Sequence, residues 1–181
     1  MSKNTGTRDG IHLKTVFNIH RFEDLDQRIA RRGGAGYNYD RLSLIRKPFE
    51  VSQFGPNLAL NEGLTALLNL LIGASETAFS NANAYTGVGD SSTSESASQT
   101  GLQATTNKLY KAMDSSYPQI SNQQVIFRST YSTSDANFAW NEFTVASGNS
   151  DSSDNLNRKV SAQGTKTNSQ TWVLTVTLTA S

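Results

Sequence analysis

The groups in this sequence that could do chemistry are few: one carboxylate among aromatics, two histidines and one glycine-rich turn. Glu142 lies in Phe138-Ala139-Trp140-Asn141-Glu142-Phe143. Strand parity puts Phe138, Trp140 and Glu142 on one face. A carboxylate beside aromatic rings is the layout of a glycosidase acid or of a lectin-like platform. Hydrolysis of a glycoside needs a second carboxylate opposite the first, and the spacing identifies none. The favoured reading is a cross-strand ion pair with Arg128 or Arg158. His12 and His20 share strand parity, but eight residues of strand span about 26 Å, too far for one metal ion. No nucleophile is paired with either. Thr86-Gly87-Val88-Gly89-Asp90-Ser91-Ser92 lacks the Gly-Lys-Ser/Thr ending of a phosphate loop and reads as a turn beside a short strand. Asp90 has only Glu95 near it in sequence, whereas divalent cations take several carboxylates. There is no cysteine, hence no thiolate site and no disulfide framework. Catalytic, metal and cofactor-binding residues are therefore expected to be none, and an enzyme is not expected.

Charge points to contact instead. Residues 1–50 hold ten Lys/Arg against six Asp/Glu, and residues 51–181 hold six against nine. A basic leader on a mildly acidic body fits docking onto an acidic neighbour. The segment Phe22 to Arg32 has its acids first and its bases last, with Gly33 placed as a helix C-terminal cap. Its apolar stripe of Phe22, Leu25 and Ile29 is too narrow for a core and suits docking. The candidate partner-docking residues are Phe22, Leu25, Arg28, Ile29, Arg31, Arg32, Arg46, Lys47, Phe49 and Phe54. Tyr37 and Tyr39 lie between the basic clusters, but acids interrupt them, and nucleic acid is not the expected partner.

These residues need elements to position them. The clearest is Gln170 to Ala180, where Trp172, Leu174, Val176 and Leu178 alternate with Thr171, Val173, Thr175, Thr177 and Thr179. That period of two is a half-buried antiparallel strand. Further strands are expected at 108–114, 124–132, 137–146 and 156–163, separated by polar turns. Asn57 to Gly73 is the one firm helix, with Leu60, Leu64, Leu67, Leu68, Leu71 and Ile72 on one face, Asn61 as N-cap and Gly73 at its end. The stretch from Ser91 to Thr100 reads as a mobile polar loop. Ile11 to Ile19 reads as a strand or extended arm, and Pro48 makes the stretch from Leu42 to Phe54 an edge or an arm. The expected fold is mainly β: an antiparallel β-sandwich or jelly roll with one amphipathic helix and an extended N-terminal arm. The expected division is an arm over 1–56 and a sandwich over 57–181, with the helix near 61–72. No apolar run is long enough to span a membrane, and the first residues lack the apolar core of a signal peptide. Both fit a protein made in the cytoplasm.

The order of these pieces carries a resemblance. Asn57-Leu58-Ala59-Leu60-Asn61-Glu62-Gly63-Leu64 is followed by Tyr85-Thr86-Gly87-Val88-Gly89-Asp90 and Thr100-Gly101-Leu102-Gln103-Ala104. Val125 to Tyr131, Asn137 to Phe143, Leu156 to Val160, Lys166-Thr167 and the final Thr/Val/Leu strand complete the series. Over 57–181 this is similar to small virion structural proteins of tailed bacteriophages. The resemblance implies a non-enzymatic capsid cement or decoration protein, located on the capsid surface and made in the host cytoplasm, with no cofactor. Its implied partners are the major capsid protein, reached through the N-terminal arm, and copies of itself, with a trimer expected. A phage tail, neck or baseplate component is the first alternative. A carbohydrate-binding module using Trp140 or Tyr131 is the second.

Overall fold

The computed structural model describes residues 12–23 and 47–181. Ten strands and one helix follow in chain order: β1 (Leu13–Glu23), β2 (Glu50–Phe54), β3 (Leu58–Ala59), α1 (Asn61–Leu71), β4 (Tyr85–Gly89), β5 (Lys108–Ala112), β6 (Gln119–Ser121), β7 (Gln124–Tyr131), β8 (Glu142–Ala146), β9 (Asn157–Val160) and β10 (Gln170–Ala180). They form two antiparallel five-stranded sheets, ordered β2-β1-β10-β7-β6 and β3-β9-β8-β4-β5. The mainly β, sandwich-like architecture is the one the alternation predicts.

The two sheets share one core. β1 brings Phe17 and Ile19, β10 brings Trp172, Leu174 and Val176, and β7 brings Phe127 and Tyr131. Val88, Phe143 and Val145 come from the second sheet. Trp140 stands at the centre, edge-on to Tyr131 at 4.7 Å and to Trp172 at 4.8 Å. Each fully enclosed large apolar side chain contributes roughly 1.5–3 kcal/mol, so this cluster supplies much of the drive to fold.

The boundary expected at residue 57 does not divide the fold. β1 pairs with β10 along its whole length, from Leu13 opposite Ala180 to Glu23 opposite Gln170, and β2 pairs with β1. Phe17 and Ile19 are fully buried. These two stretches are sandwich strands because their apolar side chains complete the core, so a body beginning at Asn57 would lack them. The helix expected from Phe22 starts inside β1, and the rest of it, 24–32, lies outside the described residues.

Helix α1 starts one position earlier than expected, at the residue read as its cap. Leu60 occupies the cap position in extended backbone, and Asn61 is the first helical residue, with no side-chain cap bond. The N–H of Leu60 is taken by the Leu156 carbonyl and that of Asn61 by the Ala97 carbonyl. Gly73 closes the helix at φ +69°, the left-handed conformation glycine adopts freely. The side of α1 that meets the sandwich is Gly63, Ala66 and Leu67, with Leu60 buried at the cap, while Leu64, Leu68 and Leu71 are exposed. A Cβ on Gly63 would lie 2.4 Å from Leu156 Cα, so only glycine allows this approach.

Candidate functional site

Glu142 lies on β8 and is fully enclosed, as is Arg158 on β9. Arg158 Nε donates to Glu142 Oε2 at 2.8 Å, and Nη2 lies 2.7 Å from the same oxygen. The backbone N–H groups of Gln103 and Ala104 donate to the carboxylate at 2.9 and 2.7 Å. Gly89 makes room for it: a Cβ there would sit 2.4 Å from Glu142 Oε1. Arg158 Nη1 donates to the Thr93 carbonyl and to Gln99 Oε1. The pair expected between Glu142 and Arg128 or Arg158 is therefore Glu142–Arg158. It is a clamp, with its charges turned onto backbone groups.

The polar loop from Ser91 to Thr100, expected to be mobile, is held by this clamp and by Glu95. The Glu95 carboxylate accepts the Val160 N–H at 2.6 Å and pairs with Lys159 at 3.4 Å. The sequence reading missed these anchors because each depends on a residue some 60 positions away.

A second network lies beside the first. The Tyr110 hydroxyl donates to Asp151 Oδ1 at 2.7 Å and accepts the Leu102 N–H at 3.3 Å. Lys108 forms an ion pair with Asp151. Burial, then the hydrogen bond and charge of Asp151, push the Tyr110 phenol upward, so it stays a neutral donor. Glu62 of α1 turns inward and accepts the N–H groups of Gly101 and Asn155 at 3.2 and 3.0 Å. Asp114 covers a bare edge of β7: its N–H donates to the Arg128 carbonyl, and Oδ1 accepts the Thr130 N–H. Its Oδ2 takes Arg128 Nε at 2.9 Å. Burial raises the Asp114 carboxyl although Thr130 and Arg128 pull it down. Arg21 stacks its guanidinium 4.4 Å from the Trp172 ring centre and bonds Glu50 and the Gln163 carbonyl. These carboxylates and cations tie loops to sheets.

The remaining candidates separate by burial. Trp140 and Tyr131 are both fully buried, so neither ring can meet a sugar, because both are needed in the core. Phe22 is buried in β1, and Phe54 stacks on Phe17 at 5.3 Å and packs on Phe143 at 4.8 Å. Those two predicted docking residues serve packing instead. Lys47 is exposed and Phe49 is half exposed. Leu25, Arg28, Ile29, Arg31, Arg32 and Arg46 lie outside the described residues. Asp90 accepts a hydrogen bond from Asn107, and among the described residues no three His, Cys, Asp or Glu side chains are grouped to hold a metal. His20 is half-buried, and burial lowers its imidazole.

Open apolar surface is what the sequence reading did not place. Leu64, Leu68 and Leu71 of α1 and Ile72 after it face outward, and Val51 on edge strand β2 is half exposed. A depression of about 40 Å³ between Leu13, Thr15 and Leu178 on one side and Ala59, Leu64 and Leu156 on the other is close to a single water in size. No described helix is long and apolar enough to cross a membrane.

No match to this chain is found among protein-family models, curated proteins or solved structures. The functional reading therefore rests on the geometry and on the order of elements in the sequence.

Proposed function

We propose that the protein is a non-enzymatic structural component of a tailed-bacteriophage virion, foremost a cement protein that sits on the capsid surface and stabilises the major capsid protein lattice. One observation carries this reading. Among the described residues β2 is a five-residue strand at the edge of its sheet, and Phe49 and Val51 are about half exposed. The stretch that leads into it holds five arginines, among them Arg28, Arg31, Arg32 and Arg46, against three aspartates. An open edge with apolar side chains is a ready site for adding another protein's surface, and the basic stretch beside it favours an acidic one. Repetition around a shell turns weak single contacts into firm attachment. The resemblance in element order over 57–181 supports the same assignment.

The test uses particles that lack the protein. Purified protein added back should bind at on the order of hundreds of copies per particle, the signature of repeated lattice sites, and should raise the temperature at which particles break. Reversing Arg28, Arg31 and Arg32 together to glutamate should leave the protein folded and abolish binding. Binding of only a few to a few dozen copies, roughly, would favour the tail, neck or baseplate reading. Absence of binding by the unaltered protein would overturn the virion assignment.

A further inference from the structure

Helix α1 lies on the sandwich with its small side down. Gly63 and Ala66 make the closest contact, Leu67 packs on the core beside them, and Leu64, Leu68, Leu71 and Ile72 point the other way. Leu64, Leu68, Leu71 and Ile72 fall within an arc of about 100°, the width of the apolar stripe a helix normally buries. Here they are 39 %, 63 %, 79 % and 78 % exposed. Leu13 and Leu58 are each about two-fifths exposed; Leu13 lines the same depression as Leu64, and Leu58 lies in β3, which leads into the helix. Together the six side chains leave on the order of 600 Å² of apolar surface open. That equals the largest patch on an ordinary monomer and is most of the ~800 Å² each partner gives to a specific interface.

We propose that this face docks a second copy of the chain, α1 of one protomer against α1 of its partner across a two-fold axis. The lack of charge on the leucine arc permits a copy to dock, and the open area is on the scale of one side of such a contact. Glu62 is the only charged residue of α1, and its carboxylate is turned inward onto Gly101 and Asn155. A charged face would repel its own symmetry mate and call for an opposite partner; a neutral face meets itself without that penalty. The polar residues bordering the leucines, Asn61 and Thr65, are exposed. Each carries both donor and acceptor groups, so each can pair with its identical mate, as a two-fold interface requires. An arc this narrow takes one neighbour, which makes the unit a pair rather than the trimer expected from the sequence.

The experiment is sedimentation velocity of the full chain up to ~100 µM, a range that detects even modest self-affinity. The parent should sediment as a dimer of the 19.7 kDa chain. Leu68→Glu and Leu71→Glu should each weaken association at least ~100-fold. Ile120→Glu, at a 79 % exposed side chain on β6 at the far edge of the first sheet, should leave it unchanged. All three side chains are open in the protomer, so the dilute variants should melt near the parent temperature, which separates lost pairing from lost folding. A parent that stays monomeric throughout overturns the proposal, as does a dimer indifferent to both leucine variants. A protein that is monomeric alone, yet shields Leu68 when bound to particles, also overturns it, because the occupant is then foreign. The sedimentation outcomes do not depend on whether the protein binds a capsid, so failure of this proposal and failure of the virion reading are distinguishable.

Discussion

Replacing Glu142 by glutamine changes one charge and almost no volume, so its cost reports on the clamp alone. Three hydrogen bonds converge on the carboxylate, from Gln103 N–H, Ala104 N–H and Arg158 Nε. A glutamine oxygen can accept two, and its amide end presents hydrogens to whatever donor remains. Arg158, fully enclosed, would also lose its counter-charge. Removing one partner of a buried ion pair costs about 3–5 kcal/mol, and the unserved N–H falls within that figure because the effects are not additive. For a chain of this size each kcal/mol lowers the melting temperature by roughly 2–4 °C, so Glu142→Gln should melt roughly 6–20 °C below the parent. Raising salt should not narrow the gap, since an enclosed pair is poorly screened. Arg158→Met combined with Glu142→Gln should cost clearly less than the sum of the single changes, because the second change removes the orphaned charge. Protease should also cut the loop from Ser91 to Thr100 faster in the variant, because the clamp holds that loop at Thr93 and Gln99. Thermal melts and a timed digest measure all of this. A single-variant cost under ~1 kcal/mol, the scale of an exposed pair, or strict additivity in the double variant, would refute the argument.

Other expectations follow from packing and titration. Trp172→Ala removes a buried ring that touches Trp140 and carries Arg21 on its face; it should cost ~3–5 kcal/mol, against well under ~1 kcal/mol for Thr177→Ala on the wetter face, and equal melting shifts would contradict the assigned sides. Gly63→Ala should push α1 off the Leu156 backbone and cost ~1–3 kcal/mol; an unchanged urea midpoint would mean the helix can move freely. Burial lowers the His20 imidazole below its ordinary value. The unfolded chain therefore binds that proton first, so His20's contribution is complete above ~6.5 and lost as pH falls through that value. Urea midpoints at several pH values between ~7.5 and ~5 should fall less in His20→Gln than in the parent, and parallel curves would remove His20 from the account.

Local patterning was enough for β10: its strict alternation gave both its extent and the side facing the core, and it placed β7 almost as well. The leucine stripe of α1 was equally visible, yet its direction was not. Stripe and core contact usually coincide; here Leu60 and Leu67 keep to the core while Leu64, Leu68, Leu71 and Ile72 turn away, because Gly63 lets the helix sit close on Leu156. β4 was barely legible because Gly87 and Gly89 lower strand propensity. The role of Gly89 is to leave space for the Glu142 carboxylate. For Glu142 itself the sequence narrowed the partner to two arginines, and the pairing of β8 with β9 decided between them. The membership of β1 in the core was hidden for another reason. Its alternation was plain, but its pairing with β10 joins residues about 150 positions apart, and no local window contains both.

That pairing also sets the order of events during synthesis. β1 leaves the ribosome well before β10 and then waits, with Phe17, Ile19 and its β10-facing backbone edge unmet, until some 150 further residues have been made. The first sheet cannot close gradually, because β10 is the strand that joins β1 to β7. Contacts so distant in sequence slow folding, and an unpaired apolar strand is open to aggregation in the interval. A ribosome that stalls before residue 170 would release a chain whose second sheet has all its strands and whose first has none of its centre. Shielding of β1 during that wait is thus a requirement that the β1–β10 pairing imposes.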